Sequence, residues 1–123
     1  MAKVLIVDDD PVHRMLIGRL AEQVGLKTGF ASTAHDAIEK LSQEDFCAMT
    51  LDLNLGEDDG TDVLEYLADR SIEMRVFVIS GSERSQYEAA VNFGVLNRID
   101  VVDFPKPIQL PYLRECLAQV ATI

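Results

Sequence analysis

The sequence predicts an α/β fold: a five-stranded parallel, doubly wound sheet with five helices, arranged as a three-layer αβα sandwich. Two observations lead to this prediction. Short apolar runs, typical of strands buried in a parallel sheet, alternate with segments of helical periodicity along the 123 residues. The connections between them are short, and parallel strands need crossover helices, which are nearly always right-handed. The length suits one domain, to which we assign residues 1–123.

The first strand and helix have the clearest boundaries. Lys3 to Val7 is a continuous apolar run that ends at acidic residues, as expected of a strand buried on both faces. Asp10 is expected to cap a helix that starts at Pro11, because proline fits the first helical turn. Apolar residues then recur at helical spacing until Gly25, where the helix is predicted to end.

The other four units follow from similar signals. Further strands are predicted at residues 27–31, 46–51, 75–79 and 99–102. Thr33 with Asp36 resembles a capping box for the second helix. The third helix is predicted at about 61–68; the fourth opens at Ser82 or Glu83 and closes at Gly94, and the last follows residues 105–107. Five such units define a flavodoxin-like sandwich.

Composition excludes several kinds of function. The net charge is −10, so the surface should repel nucleic acid and anionic membranes while accepting cations or basic partners, and the absence of tryptophan argues against a stacking platform for bases or sugars. No stretch resembles a signal peptide or a membrane span, and we expect a cytoplasmic protein. Cys47 and Cys116 form no metal-ligand motif and are predicted to be small buried side chains.

Chemically active residues stand where strands end. Asp8 and Asp9 follow the first strand, Asp52 the third, Ser80 the fourth, and Lys106 the fifth. Ligands of open parallel sheets bind at this edge. Two carboxylates about 4 Å apart repel by roughly 4 kcal/mol at an effective dielectric constant near 20, so a proton, a cation or a lysine must intervene. Oxygen ligands suit Mg²⁺, with Mn²⁺ as a possible substitute, and the sequence therefore predicts a divalent cation site.

A cation at this edge gives Asp52, Ser80 and Lys106 a shared chemistry. A carboxylate can attack phosphorus and form an acyl phosphate. The transferring group carries negative charge on three oxygens, so charge neutralisation does most of the catalytic work. Mg²⁺, Lys106 and the Ser80 hydroxyl would each stabilise one oxygen.

Four segments together resemble the receiver domains of two-component response regulators, the CheY-like superfamily: VLIVDDDP, MTLDLNLGEDDG, VFVISGS and FPKP, in that order. The resemblance covers essentially the whole chain. It implies a flavodoxin-like signalling switch rather than an ordinary enzyme. A sensor histidine kinase or phosphotransfer protein would supply the phosphoryl group. The face formed by helix 4, strand 5 and helix 5 would contact an output domain or partner protein, and two copies could associate there.

The resemblance also assigns roles by position. Asp9 is similar to the direct Mg²⁺ ligand and Asp8 to its partner, which acts partly through water. Asp52 is similar to the phosphoacceptor, and the backbone carbonyl of Asn54 to the third metal ligand. Ser80 and Lys106 match the hydroxyl and ammonium groups of the family site, with Lys106–Pro107 expected to be cis.

Three features depart from the family pattern. Asp103 occupies the position where an aromatic residue usually couples the site to the output face. Ser80 and Lys106 are several residues further apart than usual, with a lead-in similar to that of receivers joined to cyclic-dinucleotide phosphodiesterase domains. Gly56 stands where proline is common, and with Gly60 it is expected to loosen the acceptor loop.

Three alternatives remain open at this point. An FMN-binding electron carrier would need a Ser/Thr/Gly-rich loop where Asp8–Asp10 stand. A phosphatase of the haloacid dehalogenase type would need an aspartate at position 54 in place of Asn54. A non-phosphorylated pseudo-receiver that binds proteins would lack part of the site, whereas all parts are present here. His13 and His35 are interpreted as ordinary surface residues.

Overall fold

The computed structural model describes residues 2–56, 58–81 and 84–121, with side chains other than those at positions 58, 80 and 84–87. The strands described are β1 (Lys3–Val7), β2 (Lys27–Ala31), β3 (Ala48–Asp52), β4 (Asn54–Leu55), β5 (Asp58–Asp59), β6 (Arg75–Ser80) and β7 (Asp100–Pro105). The helices described are α1 (Pro11–Gln23), α2 (Ala34–Gln43), α3 (Thr61–Asp69), α4 (Arg84–Leu96) and α5 (Leu110–Ala121). The predicted fourth and fifth strands are β6 and β7.

The main sheet is parallel, with the strand order β2-β1-β3-β6-β7. The chain starts near the centre, moves to one edge, and returns to extend the other side, so the sheet is doubly wound. One apolar core joins the sheet to α1 and α5, and a second joins it to α2, α3 and α4. The predicted three-layer fold class is confirmed. No helix in the described residues is long and apolar enough to cross a bilayer.

Alternating strand side chains supply the two cores. In β1, Leu5 and Val7 face the core under α2, α3 and α4, whereas Val4 and Ile6 face the core under α1 and α5. All four are fully buried. A strand apolar on both faces is stable only between two layers of helices, which explains why β1 reads as an uninterrupted apolar run.

Helix caps agree with the sequence at the amino ends. Asp10 caps α1, its carboxylate accepting from the backbone N–H of Val12 at 2.9 Å. Thr33 caps α2, its hydroxyl accepting from the N–H of Asp36 at 3.0 Å. The predicted start of α4 at Ser82 or Glu83 lies outside the described residues.

Three helices end with the same motif. A residue with positive φ follows the helix, and the next N–H bonds back to a carbonyl five residues earlier. The residues with positive φ are Gly25 (+88°), Ser71 (+53°) and Arg98 (+60°). The closing bonds are Leu26 N to Ala21 O (3.0 Å), Ile72 N to Leu67 O (3.0 Å) and Ile99 N to Gly94 O (2.8 Å). The predicted end of α1 at Gly25 is therefore confirmed.

The predicted end of α4 was wrong. The helix continues through Gly94 to Leu96, and Arg98 takes the left-handed position after it. Gly94 serves a different purpose: a Cβ there would lie 2.4 Å from Cγ2 of Val101, so glycine lets α4 lie directly on β7. The extra residues before Lys106 are accommodated by the longer helix, its closing turn and a longer β7.

The prediction for the cysteines was only partly right. Cys47 is exposed, directly before β3, and its thiol contacts the backbone oxygen of Lys3 at 3.3 Å. Partial desolvation raises the pKa of this thiol above 9.0. Cys116, on α5, is partly buried.

Candidate functional site

Three carboxylates meet at the carboxyl edge of the sheet. Val7 pairs with Leu51 in the parallel register, so the next residues, Asp8 and Asp52, lie side by side. Asp9 follows directly. One oxygen from each of the three carboxylates lies within 4.8 Å of one from each of the others. Asp8 and Asp52 are buried, whereas Asp9 is exposed.

Asp8 is the most deeply buried of the three carboxylates. Its Oδ1 accepts the backbone N–H of Asp10 at 2.9 Å. Its Oδ2 is buried and has no hydrogen bond within the described part of the chain. Burial raises the pKa of Asp8 above the usual 3.8; the N–H of Asp10 opposes this, the charge of Asp52 adds to it, and His13 and Lys106 oppose it more weakly. The fold thus holds a carboxyl group where its charge is unfavourable.

Asp52 is held at both of its oxygens. Its Oδ1 accepts the N–H of Asn54 at 2.9 Å, and its Oδ2 lies 3.0 Å from Nζ of Lys106. Asp52 is 2% exposed, and the Lys106 side chain is about one-third exposed. Lys106 reaches the site from the end of β7, followed by a cis peptide bond to Pro107, as expected. This pair gives the cluster one positive charge.

The segment after Asp52 forms a short hairpin, where the sequence predicted a loop. Asn54–Leu55 pairs in antiparallel fashion with Asp58–Asp59. Gly60 then packs on the end of β3, because a Cβ there would lie 2.8 Å from the backbone oxygen of Asp52. The expected loosening was therefore wrong at Gly60, which fastens the hairpin to β3. Gly56, with a φ of +68°, turns the chain beside Asp9.

Ser80 and Asp103, which the sequence also singled out, lie on the strands β6 and β7. Ser80 ends β6, one strand away from Asp52, but its side chain lies outside the described residues. Asp103 is partly buried on β7, and its Oδ1 has no hydrogen-bond partner among the described residues. The neighbouring Phe104 is 2% exposed and packs edge-on against Phe77, with ring centroids 5.6 Å apart. An aromatic ring is thus present nearby, but it is fixed in the α1/α5 core.

Sequence reasoning missed two residues on the first turns of α1. Nδ1 of His13 lies 3.3 Å from Oδ2 of Asp8. Arg14 donates from its guanidinium to the backbone oxygen of Asp8 at 2.7 Å. Because α1 begins three residues after Asp8, its first turn has to pass beside the site, and that proximity was the available signal.

The donor set fits a hard divalent cation. All three side chains offer oxygen, and an orphaned, buried oxygen on Asp8 belongs to the same cluster. At 4.8 Å and an effective dielectric constant near 20, the buried pair Asp8–Asp52 repels by about 3.5 kcal/mol, and the exposed Asp9 adds a smaller, solvent-screened repulsion. Lys106 brings one positive charge to three carboxylates, so the cluster favours binding of a cation.

Comparison with known proteins identifies the family. The sequence model of the response regulator receiver domain matches residues 4–117. The chain belongs to this family. The suspected resemblance is confirmed, and the receiver domain family is a family of signalling modules.

Two curated relatives and one solved structure illustrate the likeness. This receiver domain is 34% identical over 104 residues to an NtrX-like response regulator of Rickettsia conorii, covering 83% of the chain and 22% of that protein. It is 31% identical over 119 residues to the response regulator PilR of Pseudomonas aeruginosa, and the match covers 94% of the chain and 25% of PilR. The chain thus spans about a quarter of these relatives. A Burkholderia pseudomallei response regulator, solved with a phosphorylated aspartic acid and a calcium ion, shares the fold with a TM-score of 0.81. The two sequences are 24% identical, and the superposition covers 99% of this chain and 69% of the Burkholderia chain.

Proposed function

We propose that this receiver domain is a phosphorylation-dependent switch that accepts a phosphoryl group on Asp52 with Mg²⁺ bound beside it. The observation that carries the proposal is the setting of Asp52: nearly fully buried, clustered with Asp8 and Asp9, and 3.0 Å from the ammonium group of Lys106. A carboxylate that served only to pair with a lysine would not need two more carboxylates beside it. The phosphorylated aspartic acid in the Burkholderia protein sets a precedent for this fold.

The phosphoryl donor is a phosphohistidine of a sensor kinase or phosphotransfer protein. The carboxylate of Asp52 attacks phosphorus, an O–P bond forms, the P–N bond breaks, and the imidazole leaves. The backbone N–H of Asn54 fixes Oδ1, and we assign the attack to Oδ2, whose partner is the Lys106 ammonium group. Lys106, already beside Oδ2, moves its charge onto the transferred group, and Ser80 supplies a hydroxyl at the end of β6.

Asp8, Asp9, Asp52 and the carbonyl of Asn54 are the groups that would hold the metal, for which Mn²⁺ could substitute. When bound, the cation would neutralise charge on the phosphoryl oxygens. The N–H of Asp10 orients the carboxylate of Asp8, and Asp9 stays accessible to solvent beside the turn at Gly56. The acidic pair therefore combines one fixed carboxylate with one exposed carboxylate through which a cation can enter.

The donor protein must dock around this edge of the sheet. Exposed apolar side chains near the site include three on α1: Val12, Met15 and Leu16 are 55%, 48% and 38% exposed. A groove of about 530 Å³ continues from Leu16 to Lys106 and Ile108. We expect Leu16→Glu to weaken phosphoryl transfer from a protein donor without affecting transfer from acetyl phosphate.

We assign the contact with an output domain or partner protein to the face formed by α4, β7 and α5. Val95 and Leu96 on α4 are 73% and 81% exposed, and Tyr112 on α5 is 50% exposed. A partner protein, an output domain or a second copy would bury these side chains. Since Asp103 replaces the usual aromatic residue between the site and this face, the coupling here does not use a rotating ring at that position.

The proposal is tested by adduct formation. The protein is incubated with acetyl phosphate and Mg²⁺, and intact mass with peptide mapping locates any phosphoryl group. We expect one adduct on Asp52, absent with EDTA and in Asp52→Asn. Asp59→Asn, which removes an exposed carboxylate of the adjoining hairpin, is the matched control and should be modified normally. If the wild type forms no adduct with either a protein donor or acetyl phosphate, the result favours a receiver that binds partners without phosphorylation.

A further inference from the structure

His13 faces the buried side of the carboxylate cluster. It stands in the first turn of α1, and its side chain is about one-third exposed. Nδ1 is buried and lies 3.3 Å from Oδ2 of Asp8. Neither atom forms a hydrogen bond within residues 2–56, 58–81 and 84–121, and at the present angle of the ring they do not bond to each other either. The two atoms are close enough that a small rotation of the ring would turn Nδ1–H onto Oδ2, and that bond is favoured because each atom is otherwise desolvated without a partner.

The chemistry of the pair fixes its direction. Oδ2 of an ionised carboxylate only accepts, so Nδ1 must carry the proton and donate. Nε2 points the other way, 3.9 Å from Oδ2 of Asp10, which is too far for a hydrogen bond. Asp8 is thus held by the N–H of Asp10 at Oδ1, and Nδ1 of His13 lies within reach of its unbonded Oδ2.

We propose that His13 is a positioning residue of the metal site: its Nδ1–H donates to Oδ2 of Asp8 and fixes the plane of that carboxylate toward the cation. The inference rests on the proposed function, because it takes Asp8 as part of the metal site. Groups that orient a metal ligand contribute strongly to affinity, and their loss commonly weakens metal binding 10- to 100-fold. His13 therefore acts through Asp8 and touches neither the cation nor the phosphoryl group.

The probe is Mn²⁺, whose free ion gives an electron paramagnetic resonance signal that disappears on binding. Titrations compare the wild type with His13→Leu, which keeps the bulk of the side chain, and His13→Asn, whose amide nitrogen can occupy the place of Nδ1. We expect His13→Leu to bind Mn²⁺ about 10-fold more weakly, and His13→Asn to recover most of the affinity. His13→Ala is a second variant without a donor, for use if the leucine variant does not fold.

His35 supplies the matched control. It also stands near the start of a helix with a carboxylate partner, Glu39 at 4.0 Å, but its side chain is 91% exposed. His35→Leu should bind Mn²⁺ like the wild type. The inference is overturned if His13→Leu binds within twofold of the wild type, or if His13→Asn is as weak as His13→Leu, since bulk rather than the donor would then matter. A wild type that binds no Mn²⁺ would refute the metal part of the proposed function itself, which separates the two failures.

Discussion

Replacing Asp8 by asparagine should make the metal-free protein more stable. Asp8 is fully buried and lies within 4.8 Å of the carboxylates of Asp52 and Asp9. The Asp8–Asp52 repulsion alone is about 3.5 kcal/mol at an effective dielectric constant near 20. Asparagine removes the charge but keeps an oxygen that can accept the N–H of Asp10.

The net gain is smaller than the repulsion, because Lys106 and His13 already lower the pKa of Asp8 and thus stabilise its charge. We expect a gain of about 1–2 kcal/mol in the free energy of unfolding at neutral pH. For a domain of this size that corresponds to roughly 4–8 °C in Tm. Asp52→Asn is a poorer test, because it also removes the pair with Lys106, nominally worth about 5.5 kcal/mol at 3.0 Å and the same dielectric constant.

The pH dependence supplies an independent check. Burial raises the pKa of Asp8 above 3.8 in the folded state, so the folded protein keeps this proton to higher pH than the unfolded chain does. The contribution of Asp8 to stability is therefore complete below 3.8 and is lost as pH rises through the raised folded pKa. The asparagine side chain of the Asp8→Asn variant does not titrate, so the advantage of the variant should grow with pH across that window and then level off.

The assay is thermal unfolding followed by circular dichroism at low ionic strength, in EDTA and in Mg²⁺. Asp9→Asn is the control; because Asp9 is exposed, its substitution should have a smaller effect. Mg²⁺ should stabilise the wild type more than Asp8→Asn and so reduce the difference. If Asp8→Asn melts at or below the wild-type temperature in EDTA at neutral pH, the reasoning from crowded charges is wrong.

Three further predictions concern other contacts. Lys106→Ala should lower the free energy of unfolding by about 2–4 kcal/mol in EDTA, since it leaves the buried Asp52 unpaired; urea titrations with an unchanged midpoint would contradict this. Gly94→Ala should cost about 1–3 kcal/mol because its Cβ would overlap Val101, and combining it with Val101→Ala should recover part of the loss; purely additive melting data would argue against the contact. Arg98→Gly should raise stability by about 0.5–1 kcal/mol, because Arg98 has a φ of +60°; a lower Tm would show that the arginine side chain contributes more than its backbone strain costs.

The sheet could be predicted because a strand that is buried on both faces forms an uninterrupted apolar run in the sequence. β1 coincides with its apolar run, and Asp10 and Thr33 cap the helices predicted from them. The carboxyl-edge site followed from topology, since Asp8 and Asp52 end neighbouring strands. These features depend on local pattern and strand order, both of which can be read without coordinates.

The end of α4 and the hairpin could not be predicted for a common reason. Gly94 and Gly60 stand where glycine usually signals flexibility or a helix end, yet each is needed because another part of the chain approaches closely. Sequence does not show which backbone or side chain will approach. His13 differs from the two glycines: its place in the first turn of α1 could have indicated that it lies near Asp8, but the 3.3 Å approach of Nδ1 to Oδ2 depends on how α1 packs beside β1.

Charge balance predicts that the proposed phosphorylation of Asp52 depends on a divalent cation. When ionised, Asp8, Asp9 and Asp52 carry three negative charges, and Lys106 returns one, which leaves an excess of two. Converting Asp52 into an aspartyl phosphate adds further negative charge at the same place. Without a cation, Lys106 would have to serve both the new phosphoryl group and the two remaining carboxylates, which a single ammonium group cannot do over several ångströms. Phosphorylation of Asp52 should therefore require divalent metal at every donor concentration, and adduct formation in EDTA at high acetyl phosphate would show that Lys106 is sufficient by itself.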